Sequence, residues 1–513
     1  MYPGPAKLIP ILLAVTLSIF LVALDMTIIA TALPRITSQF HSITDIGWYG
    51  SAFFLTLAAF QSTWGKAYKY FPLKWSFLLA IAIFELGSLI CAVAPDSTTL
   101  IVGRAIAGAG GAGVASGVYT ILAFSVPPAR VPAYTGLLGA SYAIASAVGP
   151  LLGGVFTSDV SWRWCFYINL PIGGLVVAMI YFSFHAPKAA TVQQSTMKEK
   201  ILQLDLVGSF LIMAAAVCLI LALQWGGATK SWGSADVIGT LVGFGLIVIL
   251  FIANEWWMDE RALLVPRLLK QKTLRLMSAY VLFNCGGFFV LLYYLPIYFQ
   301  SIEGVSASES GVRNVPLILS ISLLSIASGI FIMTTGHYAG VIIFASILSV
   351  VGNGLIYTLG IGSPSGQWIG YQVLAGIGYG ISIQVPIIVA QGTSDPLDIS
   401  SVSAIVLFFQ VIGGAIFISM AEALFANKLV QAAQHVDGVS AAKIVATGAT
   451  QLKTTFPNHL LGVRKAYLAG LKDAFTFSIA LAGVGAVIAI ATLILDNRSL
   501  KVKKEAVTEA EKE

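Results

Sequence analysis

Charge is what this chain has least of. Only 10% of its 513 residues are Asp, Glu, Lys or Arg, against about 25% in an ordinary soluble protein. That is too little to coat a water-facing surface of this size, so hydrocarbon is the main solvent. Cysteine is sparse as well. Cys91, Cys165, Cys218 and Cys285 sit in or beside apolar runs without metal-ligand spacing, which excludes a thiolate metal centre. They read as packing residues, with a Cys91–Cys165 bridge near the outer face as the alternative. The five histidines (His41, His185, His337, His435, His459) lie in loops or at the ends of apolar runs, and none pairs with another at ligand spacing. No nucleophile–base arrangement is legible, so an enzyme is not expected, nor a metal.

Nucleotide sites are missing too. No G-x-x-x-x-G-K-[ST] occurs, because Gly65-Lys66 lacks both the upstream glycine and the following Ser or Thr. This excludes the usual phosphate cradle for ATP. Gly108 to Gly113 spells G-x-G-x-x-G, but inside an apolar run and with no Asp or Glu between Asp96 and Asp159. A dinucleotide site needs a preceding strand and an acid for the ribose. No cofactor is expected. The net charge of +6 does not point to nucleic acid either, since the basic residues fall in short segments between apolar runs.

What the chain does have is oil. Hydrophobic residues make up 57% and mean hydropathy is +0.88. A helix needs about 20 apolar residues to cross a bilayer. Such runs fall at 8–31, 48–64, 75–94, 99–124, 132–156, 165–184, 205–224, 236–256, 273–299, 311–334, 338–360, 367–391, 400–425 and 474–495. The fold class is therefore an all-α integral membrane protein of 14 transmembrane helices arranged 6+2+6. The first run is too long for a signal peptide and holds Asp25, so it is retained. Residues 1–184 form one six-helix bundle, and 185–272 a linker with two additional helices. Residues 273–496 form a second six-helix bundle, including a long outer loop at 426–473, and 497–513 a tail. Apolar residues at helical spacing (Leu460, Val463, Tyr467, Leu471) make a surface helix one reading of that loop, and a solvated loop the other. With the N-terminus inside, 18 of the 29 basic residues are cytoplasmic and 10 outer. Both termini are thus cytoplasmic, and the Asn497-Arg498-Ser499 sequon carries no glycan.

Ionisable groups inside a span are costly and need a reason. Three stand out: Asp25 in the first run, Glu85 in the third and Arg104 in the fourth. At 1.5 Å per residue, Asp25 and Arg104 reach similar depth toward the outer face, where pairing relieves both. A carboxylate beside a cation in low dielectric can exchange a proton as its surroundings change. The alternative is a fixed clamp between two helices. Glu85 is a further candidate for coupling, or else a silent protonated carboxyl. Beyond Arg104 no cation lies deep in a span. The spans offer Gln61, Trp64, Tyr119, Tyr142, Asn284, Tyr293, Tyr294, Asn353, Gln384 and Gln410, a lining suited to an uncharged or weakly charged, partly apolar organic molecule. Pro150 removes a backbone donor in the fifth run, while Gly149, Gly153 and Gly154, like Gly108, Gly110 and Gly113 in the fourth, allow close helix packing. Together they suggest a hinge.

At these residues the chain resembles the major facilitator superfamily, and within it the fourteen-helix drug/proton antiporters and the fungal toxin and multidrug efflux pumps. Leu24-Asp25-Met26-Thr27-Ile28-Ile29-Ala30-Thr31-Ala32-Leu33-Pro34 is similar to the family's first-helix motif, and Arg104 to Gly113 to its fourth-helix motif. The likeness implies proton-coupling roles for Asp25 and Arg104. Ala145 to Gly154, reading A-x-x-x-G-P-x-x-G-G, is similar to the antiporter motif, with Ala145 in place of a usual Gly. Tyr293 to Gln300 and Gly370 to Gln391 resemble the fungal efflux branch. The resemblance implies export of a secondary metabolite, toxin or drug in exchange for protons, by a monomer in the plasma membrane, with the vacuolar membrane as the alternative. Proton-coupled uptake of amino acids or chelated iron is the rival task for the same fold. One departure stands in the gating loop Gly65-Lys66-Ala67-Tyr68-Lys69-Tyr70-Phe71-Pro72-Leu73-Lys74. Lys69 replaces the family's usual Asp, so the usual salt-bridge lock is not expected.

Overall fold

In lipid a backbone must satisfy its own hydrogen bonds, and an apolar run does so as a helix. The computed structural model describes residues 3–40, 45–185, 193–227, 230–436, 438–440, 443–444, 447, 449–496 and 500, and among them there is no strand. The tail expected at 497–513 lies outside them, apart from Leu500. The long helices, with the one short piece that continues one of them, are α1 Pro5–Ile28, α2 Ile46–Tyr70, α3 Leu73–Val93, α4 Ser97–Ser125, α5 Val131–Val155, α6 Asn169–Ser183, α7 Leu206–Trp225, α8 Ala235–Met258, α9 Lys272–Tyr298, α10 Val315–Thr335, α11 Ala339–Tyr357, α12 Ser365–Ser382, α13 Val385–Thr393, α14 Ile399–Ala433 and α15 Leu460–Leu495.

Local chemistry sets many of the ends. The Asp96 side chain accepts from Thr99 N at 2.8 Å and starts α4. Asp205 does the same for α7, accepting from Gly208 N at 2.9 Å. Gly336, with φ of 73°, supplies the left-handed residue that ends α10. Pro386 lacks an N–H, and the chain breaks between α12 and α13 just before it.

Counting α12 and α13 as one rod, 13 helices among the described residues are long and apolar enough to cross a membrane. The helix below that mark is α2. Its 25 residues span about 37 Å at 1.5 Å each, but Gln61, Ser62, Thr63 and Lys66 dilute its apolar content. The expected count of 14 therefore rests on α2.

Two expectations need correction. The stretch 426–473 is no simple solvated loop: α14 continues to Ala433 and α15 begins at Leu460, with Val463, Tyr467 and Leu471 buried. Ile444, Leu452 and Phe456 are buried between them, so apolar contacts hold this region against the bundle. Gly154 was expected to pack tightly, yet nothing lies within 4 Å of where its Cβ would be. The four cysteines are free.

Packing runs α3 and α2 against α4, α1 against α5, α9 against α14 and α15, and α11 against α12. The first and last groups meet along α5 with α10 and along α2 with α14. The helix pair α7 and α8 packs mainly on itself, with α7 reaching α2 and α14. Burial follows: α4 is almost enclosed, whereas α8 shows its apolar side chains outward, ending in exposed Trp256 and Trp257. An apolar helix with so little protein around it faces lipid.

Candidate functional site

Helices alternate in direction, so the start of α1 and the end of α2 share one end of the bundle, here the terminal end. Asp25, near the end of α1, and Arg104, near the start of α4, both lie toward the opposite, loop end. Both side chains are fully buried. Arg104 Nη1 donates to Asp25 Oδ2, and Arg104 Nε donates to Tyr49 O on α2 at 2.9 Å. Asn169, the first residue of α6, donates from Nδ2 to Asp25 Oδ1 at 3.1 Å and to Ser88 Oγ on α3 at 3.0 Å. The guanidinium also lies over the Phe53 ring, 4.4 Å from its centroid. Five helices thus converge on one ion pair.

The glycines make that convergence feasible. A Cβ at Gly108 would strike Phe53 O, one at Gly110 would strike the Phe84 backbone of α3, and one at Gly113 would meet Trp64 at 2.6 Å. Gly149 and Gly153 bring α5 against Thr27 and Ile28, just beyond Asp25. Pro150 sits inside an unbroken α5, which gives way to a wider π turn only at Phe156–Val160. Glu85 is not part of the network: its two carboxyl oxygens are buried with no hydrogen-bond partner among the described residues.

The polar residues expected to line a cavity divide. Gln61 is buried and donates to Ser116 Oγ at 2.6 Å, tying α2 to α4. Asn284 donates to Ser382 Oγ at 3.0 Å, and Asn353 to Tyr379 Oη at 2.7 Å, both inside the last group. Tyr142 Oη approaches Met26 Sδ at 3.6 Å, and Trp64 donates to Ala109 O at 2.8 Å. Tyr294 is buried against Phe425, and Gln410 is half-buried. Tyr293, by contrast, is 52% exposed. Tyr119 and Gln384 bridge the two groups: Tyr119 Oη donates to Gln384 Oε1 at 3.2 Å, and Gln391 Nε2 donates to Tyr119 O at 3.3 Å.

The gating loop holds the largest surprise. Lys69 Nζ lies 2.8 Å from Asp398 Oδ1 at the start of α14, and Arg267 Nη1 lies 3.1 Å from Asp398 Oδ2. Arg267 also pairs with Glu260 at 2.7 Å, and Lys66 donates to Glu260 O at 3.0 Å. Lys74 donates to Tyr181 O at 2.6 Å, and Gly65 lets α2 approach Ala404. A salt bridge therefore does form here, with its signs reversed. Hydrogen bonds to Asp398 and then Glu260 hold the Arg267 pKa above its ordinary value.

The sequence reading missed Asn169, Tyr49 and Ser88 around Asp25, and Asp398 with Arg267 at the terminal end. Asn169 carried a usable signal, an amide inside an apolar run. Asp398 carried none, lying 329 positions from Lys69. Glu422 was overlooked near the end of the run at 400–425; it is exposed on α14.

A multi-pass bundle of long apolar helices is the scaffold of an integral membrane protein. The chain belongs to the Major Facilitator Superfamily, whose profile matches residues 15–418. It is similar to the MFS-type transporter grgE of a Penicillium species, 48% identical over 96% of this chain and 87% of that one. It is also similar to the MFS-type efflux pump MFS1 of Arthroderma benhamiae, at 44% over 97% and 93%. Among solved structures, the proton:xylose symporter XylE aligns with a TM-score of 0.61 at 12% identity, over 98% of this chain and 99% of that one. That likeness speaks for the fold. Membrane transport of small molecules follows from the family, and enzyme activity does not.

Proposed function

We propose that this chain exports a small, partly apolar organic compound, a secondary metabolite, toxin or drug, in exchange for protons. The observation that carries the reading is the fully buried Asp25–Arg104 pair. Buried charges are costly unless paired, so an acid that loses its partner's full attraction takes up a proton readily. In the cycle, Asp25 accepts a proton from outside, its hold on Arg104 loosens, and the carrier turns inward. There it releases the proton and takes up cargo. Gly149, Pro150 and Gly153 supply the flexing contact of α5 on α1, while Gly65, Lys66 and Lys74 fix the gating loop. Tyr119, Gln384 and Tyr293 contact cargo.

The same reading makes α2 the fourteenth span. It divides the chain into residues 1–184, 185–272 and 273–496, and places both termini in the cytoplasm and the monomer in the plasma membrane. The Arthroderma relative, named an efflux pump, supports export over uptake. The test uses purified protein in liposomes with Nile red, an uncharged apolar dye, and an imposed pH difference. Wild-type protein drives the dye against protons, and Asp25→Asn stops this flux. Flux indifferent to pH, or undiminished in Asp25→Asn, ends the proposal.

A further inference from the structure

Glu85 takes no part in the pairing described above. It shares a face of α3 with Ser88, three residues closer to the terminal end. Opposite it on α6 is Gly173, where a Cβ would collide with Glu85 Oε1. Gly173 is one helical turn from Asn169, so α6 presents an amide beside Ser88 and then a gap that the Glu85 carboxyl fills. Asn169 Nδ2 is engaged by Asp25 and Ser88, but Asn169 Oδ1 is buried without a donor, as are both Glu85 oxygens. Asn169 thus touches Asp25, and Glu85 lies against the same helix one turn along, at Gly173. At 1.5 Å per residue, Glu85 lies about 4.5 Å further toward the terminal end than Ser88.

The charged and titratable groups around Glu85 are few. Asp25 of α1 is the charged group that acts on Glu85, while Arg104 of α4, Cys91 of α3 and Cys165 of the one-turn helix Trp164–Tyr167 stand around Asp25 itself. Among the described residues no cation pairs with Glu85, and Arg104 is engaged by Asp25 and Tyr49 O. Glu85 has no counter-charge of its own. A buried carboxylate without one is costly to keep ionised.

We propose that Glu85 is a second proton-holding site, in series with Asp25. This rests on the antiport reading. When Asp25 is protonated from the loop end, Glu85 has given up its own proton toward the terminal end. The Asp25 proton then passes to the Glu85 carboxylate along the Asn169–Ser88 side of α3. That step restores Asp25 as the carboxylate facing Arg104 and Glu85 as the acid, so one proton moves and no charge is left over.

Infrared spectra of the full chain in lipid test this without any substrate. A protonated-carboxyl band present in the wild type is lost in Glu85→Gln. It weakens in Asp25→Asn, because the negative charge that opposes ionisation of Glu85 is then gone. A band that Glu85→Gln leaves intact, or that Asp25→Asn does not change, overturns the proposal. The dye flux decides the antiport reading separately, since it is read on the wild type and Asp25→Asn alone.

Discussion

Asp25 and Asp398 each meet a cation, and the exposure of their partners differs. Asp25 and its partner Arg104 have no exposed side-chain surface. Asp398 is also largely covered, but its partners Lys69 and Arg267 are 13% and 47% exposed. In the buried site every remaining lone pair and N–H must be met by protein, so Tyr49 O, Asn169 and the Phe53 face are recruited around one bond. At the terminal end water can do that work, and two cations suffice. The lesson is energetic. A buried pair is costly to break because each half is stranded, whereas an acid with a second, more exposed cation at hand loses less when one partner leaves. The first arrangement suits a group that senses protons, the second a contact that opens and closes.

The sharpest way to break this contrast is Arg104→Met. It strands Asp25, and a loss of about 3–5 kcal/mol in stability is expected, measured by thermal unfolding in detergent. The double variant with Asp25→Asn should recover much of it, because no charge is left buried. Next comes Gly149→Val, which drives a side chain into Thr27 beside Asp25. Over-packing of this kind costs about 1–3 kcal/mol, and the same assay reads it. Lys69→Ala should cost about 1 kcal/mol or less. Its effect should fade at 1 M salt, where the screening length is about 3 Å, while the Arg104→Met loss persists. Asp398→Lys brings three cations together and should slow Nile red transport, and adding Lys69→Asp should restore part of the rate. Smallest of all, Gly154→Ala meets open space and should shift stability by about 0.5 kcal/mol or less.

The two sites also differ in how far the sequence reveals them. Asp25 and Arg104 could be matched because each sits in a long apolar run, where position along a helix converts directly to depth. The lipid-facing helices were legible for the same reason, and α8 is the clearest case. Lys69 offered no such ruler. Its partner lies in a short turn before α14, and only the folded packing of α2 on α14 brings the two together. Likewise the start of α15 extends past the expected span because buried Val463 and Tyr467 anchor it, a tertiary contact that hydropathy does not register. Gly154 marks the converse limit, since a small residue in a motif need not be touching anything.

Asp398 has one further property. Arg267 lies just ahead of α9 and close in sequence to the helices that pack with α14, whereas Lys69 belongs to α2. If α2 and α14 separate, Lys69 departs and Arg267 stays behind. The acid has a resident cation and a visiting one, so it is never left bare, and undocking forfeits only the visitor's share. Such a fastening can release many times without the acid itself facing an unneutralised charge at the parting surface.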